Sequence, residues 1–194
     1  MRPSVTLDRG SARIALVAVL KHAHAGELGA ARAYRGHWRS LRDVREVADI
    51  QQIEREELEH RRHVGTMLRE LGATPDDRLE RRMARIGSAI SAFCVFSGWF
   101  APMYGAGRLE AANVQEYEDA ARFAILAEEP QLAMDLLGMA EVEWEHERYF
   151  RAKVSSHWLA GFVPMWEPLT SRRHIWESFE YFLLLSESLV RPAA

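Results

Sequence analysis

Apolar residues recur in steps of three and four along most of this chain, and no stretch alternates apolar with polar as a half-buried strand would. Leu16, Leu20, Ala23, Glu27, Ala30, Tyr34 and Trp38 form the first stripe, which predicts one long helix over roughly residues 11–38. A second stripe runs Val47, Ile50, Ile53, Glu57, His60, Val64, Met67 and Leu71, and it stops at Gly72. Ser40 and Asp43 supply the turn and the N-cap between the two. Gly72-Ala-Thr-Pro75 then breaks the chain, and a short charged lead-in opens onto an uncharged helical stretch with an interruption expected near Pro102. Gly107, Glu110, Val114, Tyr117, Ala121 and Ile125 make a third stripe that ends at Glu129-Pro130. The fourth is Leu132, Leu136, Met139, Glu143, His146, Phe150 and Val154. An aromatic, Pro-rich segment leads to a last helix over roughly 171–190, carrying Ile175, Phe179, Phe182, Leu183 and Leu189. The reading is an all-α fold: a bundle of four long helices, a crossover segment and an additional apolar C-terminal helix. A single domain is expected, with its bundle core over about 11–154 and an apolar extension over about 155–190.

What is unusual is that Glu27, Glu57, Glu110 and Glu143 occupy stripe positions where core side chains belong. An unpaired buried carboxylate is costly enough to take up a proton or find a cation. Two of the four are followed by His three residues later, in Glu57-Leu-Glu-His60 and Glu143-Trp-Glu-His146, which puts each pair on one helix face. Residues equidistant from a tight turn lie at the same level of an antiparallel hairpin. Glu27 and Glu57 have their midpoint at position 42, inside the first turn, and Glu110 and Glu143 theirs near 126–127, just before the second. Each hairpin thus opposes a lone Glu to a Glu-x-x-His. One Glu from each of two helices, with Glu-x-x-His from the other two, is the ligand set of carboxylate-bridged di-iron or di-manganese centres. Glu116 and Glu118 are alternatives to Glu110, but the stripe phase favours Glu110. Glu56, Glu59, Glu145 and Glu147 read as solvated helix positions, and His22, His24, His37, His63, His157 and His174 as surface or structural.

If the third long helix simply reversed at Pro75, the residue level with Glu57 would lie near 93. Glu110 comes about 17 residues later, or roughly 25 Å of helix. The segment 76–103 must therefore cross over or lie across the bundle, as in ferritin-like connectivity.

Composition narrows the function. The net charge of −3 offers no basic face for nucleic acid. One cysteine, Cys94, excludes a disulfide framework, a Cys-rich zinc site and a Cys-ligated iron–sulfur cluster, and favours a reducing compartment. Met1–Gly10 is polar and does not read as a secretory signal. Ile86–Gly107 carries no charge over a length that could span a bilayer, but its glycines, serines and Pro102 favour an interfacial or core-facing segment.

The first helix reads His24-Ala-Gly-Glu27-Leu-Gly-Ala30 and continues through Arg32, Tyr34 and Gly36. This closely resembles the His-Ala-Gly-Glu-Tyr-Gly-Ala signature of the demethoxyubiquinone hydroxylases, ferritin-like di-iron quinone monooxygenases. Glu-Trp-Glu-His146, a Glu seven residues before Tyr117, and Leu185-Ser-Glu-Ser-Leu189 are similar to further parts of that family. Leu28 replaces the signature Tyr, and Gln115-Glu116 stands where many members have a His pair. The segment after His146, with Trp158, Phe162 and Trp166, looks enlarged. The resemblance implies metal ligands at Glu27, Glu57, His60, Glu110, Glu143 and His146, two iron ions (or manganese), and electrons from NADH. It implies hydroxylation of a prenylated quinone with O2; the expected location is peripheral on the cytoplasmic side of a bacterial inner membrane, or the cytoplasm. Tyr117, Phe96, Trp99 and Phe100 are the candidate substrate contacts, and the uncharged stretch is a candidate membrane-facing surface, with core packing or a homodimer interface as alternatives. The competing functions are a ferritin-like protein that oxidises or stores iron or reduces peroxide, and a metal-free helical interaction protein.

Overall fold

A computed structural model describes residues 8–190, with side chains to Ser186. The polar segment Met1–Leu7 and the side chain of Leu189 lie outside the described residues. Six α-helices follow in order: α1 (Arg9–Ser40), α2 (Val44–Glu70), α3 (Asp77–Phe96), α4 (Phe100–Leu126), α5 (Pro130–Ser155) and α6 (Arg172–Val190), with a 3-10 turn at Trp158–Phe162 before α6. No strand occurs among the described residues. The arrangement is an all-α, ferritin-like bundle.

The helix ends follow the sequence chemistry. Asp8, Asp43 and Asp76 cap α1, α2 and α3, each carboxylate accepting from backbone N–H groups of the first turn that have no partner within the helix. Pro130 opens α5 at its first turn, where no N–H is missed. Gly72 and Gly98 take positive φ at the ends of α2 and α3, as helix-terminating residues do. The interruption of the uncharged stretch is at Ser97–Trp99 rather than at Pro102. Pro102 is the third residue of α4, where a missing N–H costs nothing, whereas Gly98 has the backbone freedom to turn the chain.

The bundle is α1, α2, α4 and α5, with α1–α2 and α4–α5 as its hairpins. The crossover segment is α3, packed along the outside of α1. Glycines allow that approach. A Cβ on Gly87 would lie 2.1 Å from the carbonyl oxygen of Gly29, and one on Gly36 would lie 2.2 Å from that of Ser91. The core divides into two apolar clusters. One gathers Leu16, Leu20, Val64, Leu68, Tyr117, Leu136 and, from α6, Ile175 and Phe179. The other gathers Tyr34, Ile50, Ile53, Met103, Phe150 and Val154. Glu27, Glu57, Glu110 and Glu143 fall between them along the helices. No helix among the described residues is long and apolar enough to cross a membrane.

Candidate metal centre

Each bundle helix delivers one carboxylate to a common central cluster. Glu57, Glu110 and Glu143 are fully buried, and Glu27 is 3% exposed. His60 and His146 are buried with them. The six side chains form two quartets: Glu27, Glu57, His60 and Glu143, and Glu57, Glu110, Glu143 and His146. Within each quartet, one possible ligand atom from every residue lies within 4.8 Å of the others. Glu57 and Glu143 belong to both, as carboxylates bridging two ions must. Nδ1 of His60 is 2.8 Å from Oε1 of Glu143 and 4.0 Å from Oε1 of Glu27. Nδ1 of His146 is 3.4 Å from Oε1 of Glu57 and 3.8 Å from Oε2 of Glu143.

The hydrogen bonding is incomplete in a telling way. Oε2 of Glu27, both oxygens of Glu57 and Nδ1 of His146 are buried without a partner. Buried polar atoms are normally satisfied, so four orphans facing one another need a proton or a cation. Two divalent ions would balance four carboxylates, and hard oxygens with imidazole suit iron or manganese. The donor set therefore fits a two-metal site.

Electrostatics give the same answer. Burial, followed by the charges of Glu27, Glu143 and Glu110, holds the Glu57 carboxyl well above the usual carboxylate range. Burial and then Glu143 do the same to Glu110, and burial raises Glu27. Burial opposes ionisation of Glu143 as well, but hydrogen bonds with Glu110, His146 and His60 outweigh it and hold this carboxylate low.

A second layer of residues fixes the first. The Tyr117 hydroxyl donates to Oε1 of Glu27, and the Tyr34 hydroxyl to Oε1 of Glu110. Asn113 donates through Nδ2 to Glu110 at 3.1 Å and to Glu143 at 3.3 Å. Nε2 of His146 lies 2.8 Å from Oε2 of Glu56. Sequence reasoning missed Tyr34 and Asn113 in this role, although Asn113 is three residues after Glu110 on the same helix. Glu56 and Glu147 are not solvated as expected. Glu56 reaches across to His146, and Glu147 is fully buried, accepting from Arg151 at 2.6 Å and from Trp166 at 2.7 Å. The i,i+4 spacing of Glu147 and Arg151 was the available signal for the second of these. Of the alternatives to Glu110, Glu116 faces a side groove and Glu118 pairs with Arg122 at 3.2 Å, so neither enters the quartets.

The candidate substrate residues separate. Tyr117 lines an apolar groove of about 300 Å³ between α1, α3 and α4, together with Glu27 and Asn113. A second groove of about 340 Å³ shares Ala30, Ala33, Ile90 and Leu109 with it and continues to His37, Phe93 and Pro102. Phe96 lies outside both, 86% exposed at the end of α3. Trp99 and Phe100 line neither groove. They stack on His157, with ring centroids 5.2 and 5.0 Å away, and Trp99 donates to Glu46.

Comparison with known proteins bears on the first half of this site. The family model described as ubiquinone biosynthesis protein COQ7 matches residues 15–94. Over that span, which is less than half of the chain, the sequence is similar to the COQ7 family. The match takes in Glu27, Glu57 and His60, the half-set carried by α1 and α2. Glu110, Glu143 and His146 lie beyond it, and folding brings them into the same cluster. No curated protein and no solved structure matches the chain.

Proposed function

We propose that this protein is a di-iron, O2-dependent monooxygenase that hydroxylates the ring of a prenylated quinone in ubiquinone biosynthesis. The observation that carries the reading is the pair of buried quartets sharing Glu57 and Glu143, with unpartnered oxygens between them. Glu27, Glu57 and His60 would hold one ion and Glu110, Glu143 and His146 the other, the shared carboxylates bridging. Two iron ions there would supply activation of O2 and the redox equivalents for oxygen insertion.

The chain's own residues do the rest. Tyr34, Tyr117 and Asn113 fix the carboxylates through hydrogen bonds, which orients them before any ligand arrives. The groove at Glu27, Asn113 and Tyr117 would admit the quinone ring, and its continuation past Ala30 and Ala33 towards Phe93 would take the prenyl chain. Its apolar walls exclude water from the reacting ring. NADH as the electron source follows from the family resemblance.

Ile86, Ile90, Phe93, Val95 and Phe96 are exposed along α3, at the edge of that groove. This face would rest on the cytoplasmic side of the inner membrane and receive the substrate from the bilayer, Phe96 serving as an anchor rather than a substrate contact.

The test is rescue of a bacterial strain lacking its quinone hydroxylase, with quinones separated by chromatography. Conversion of the demethoxy intermediate is expected. Its persistence, with two metals bound per chain, would overturn the substrate. Glu143→Ala should abolish both metal binding and conversion, and survival of both would overturn the site.

A further inference from the structure

Opposite the apolar groove lies a cavity of another kind, about 680 Å³ between α2 and α5, which make few direct contacts. Its inner wall includes His60, a member of the first quartet, and Glu56, which holds His146 of the second. Its outer wall carries the exposed acids Glu59, Glu70 and Asp135, against the single cation Arg62. None of the three acids has an ion-pair partner among the described residues. Gly138 also lines it, in the interior of α5, where glycine costs about 1 kcal/mol relative to alanine. A Cβ there would meet nothing within 4 Å, so no close helix contact explains the glycine. A bare backbone at this point keeps the passage wide.

We infer that this α2–α5 cavity is the route by which divalent metal ions reach and leave the buried carboxylate cluster, separate from the groove that takes the organic substrate. The inference rests on the two-metal reading given above. A dication crossing apolar walls would be stripped of water without compensation. Between α2 and α5 it meets Glu59, Glu70, Asp135 and Glu56, set among Met67, Met134, Met139 and Val142, on the way to His60. Unpaired acids there raise the local cation concentration and focus its approach, an effect worth about tenfold or more in association rate at low salt.

Two rates test this on the full-length chain: uptake of Co(II) by chelator-stripped protein, followed by its visible absorbance, and release of Fe(II) from the iron-loaded protein to a coloured chelator. The combined variant Glu59→Gln, Glu70→Gln, Asp135→Asn should slow uptake about tenfold and flatten its dependence on ionic strength, with two ions still bound at equilibrium. Gly138→Phe should slow both uptake and release. Glu116→Gln, which removes a charge from the opposite groove, should change neither. Wild-type rates in both cavity variants, or equal slowing by Glu116→Gln, would overturn the route and leave the metal centre standing. Failure of the unaltered protein to take up Co(II) would overturn the metal centre and the route with it.

Discussion

Glu56 on α2 and His146 on α5 are joined by a 2.8 Å hydrogen bond, Oε2 to Nε2, that ties the two Glu-x-x-His helices together beside the buried cluster. The bond with His146 lowers the Glu56 carboxyl, so an anion accepts here and the Nε2 hydrogen is committed to it. Nδ1 is thereby left facing the cluster, 3.4 Å from Glu57 and without a hydrogen-bond partner, free to bind a metal ion. Such outer carboxylates set the tautomer and orientation of metal-binding histidines. Glu56→Gln should therefore weaken metal affinity about 10- to 100-fold while leaving the helix content unchanged. Metal analysis after dialysis against a buffered chelator, with circular dichroism alongside, checks both halves.

Removing metal should destabilise the protein increasingly as pH rises. Glu27, Glu57 and Glu110 have raised values when folded, so above the ordinary carboxylate value of 4.5 the unfolded chain releases protons that the folded chain must keep. His60 and His146 are also raised, because their hydrogen bonds to carboxylates outweigh burial, and their contribution is lost as pH rises above the ordinary 6.5. All five act in the same direction. Between pH 7 and 9 the melting temperature of chelator-treated protein should fall, whereas that of the metal-loaded protein should change far less. Parallel curves for the two forms would contradict the assignment of metal to this cluster.

His37 acts in the opposite window. Burial between Tyr34 and Phe150 pushes its imidazole down to about 4, and Nε2 has no partner. Below about pH 6.5 the unfolded chain gains a proton that the folded chain refuses, so stability falls between about 6.5 and 4, by roughly 3 kcal/mol in all. His37→Gln should flatten this acid limb in denaturant titrations, and a limb of unchanged slope would show that His37 is not its source.

The α1–α3 contact tolerates no side chain at its closest points. Gly87→Ala would place a Cβ 2.1 Å from the backbone oxygen of Gly29, and backbone cannot swing aside as a flexible side chain can. A loss of about 2–3 kcal/mol is expected, despite the gain in helix propensity. Gly26→Ala, within α1, meets nothing within 4 Å and should be neutral or stabilising. Thermal melts of the two variants separate packing from propensity.

The helices, most of their turns and the six side chains of the buried cluster were legible in the sequence, because the signals are local or repeat along a helix. Glu27, Glu57, Glu110 and Glu143 stand out by breaking apolar stripes, and hairpin symmetry pairs them without any structure. Tyr34 and Glu56 were not legible. Each acts on a residue of a distant helix, 76 and 90 positions away, and side-chain reach across a bundle leaves no periodic trace. Trp99 and Phe100 show the converse. An aromatic run in an uncharged stretch resembled a substrate wall until the Gly98 turn directed both rings onto His157.

The chain alone thus determined an all-α bundle with four carboxylates and two imidazoles at its centre, a buried set that needs protons or a cation. That Glu57 and Glu143 are the shared pair was already the expectation from the Glu-x-x-His spacing; that α3 packs along α1, and how the α2–α5 cavity and an apolar groove come to approach the cluster from opposite sides, were decided only by the tertiary structure. These depend on how helices far apart in sequence pack, and on the backbone proximity that Gly29, Gly36 and Gly87 allow.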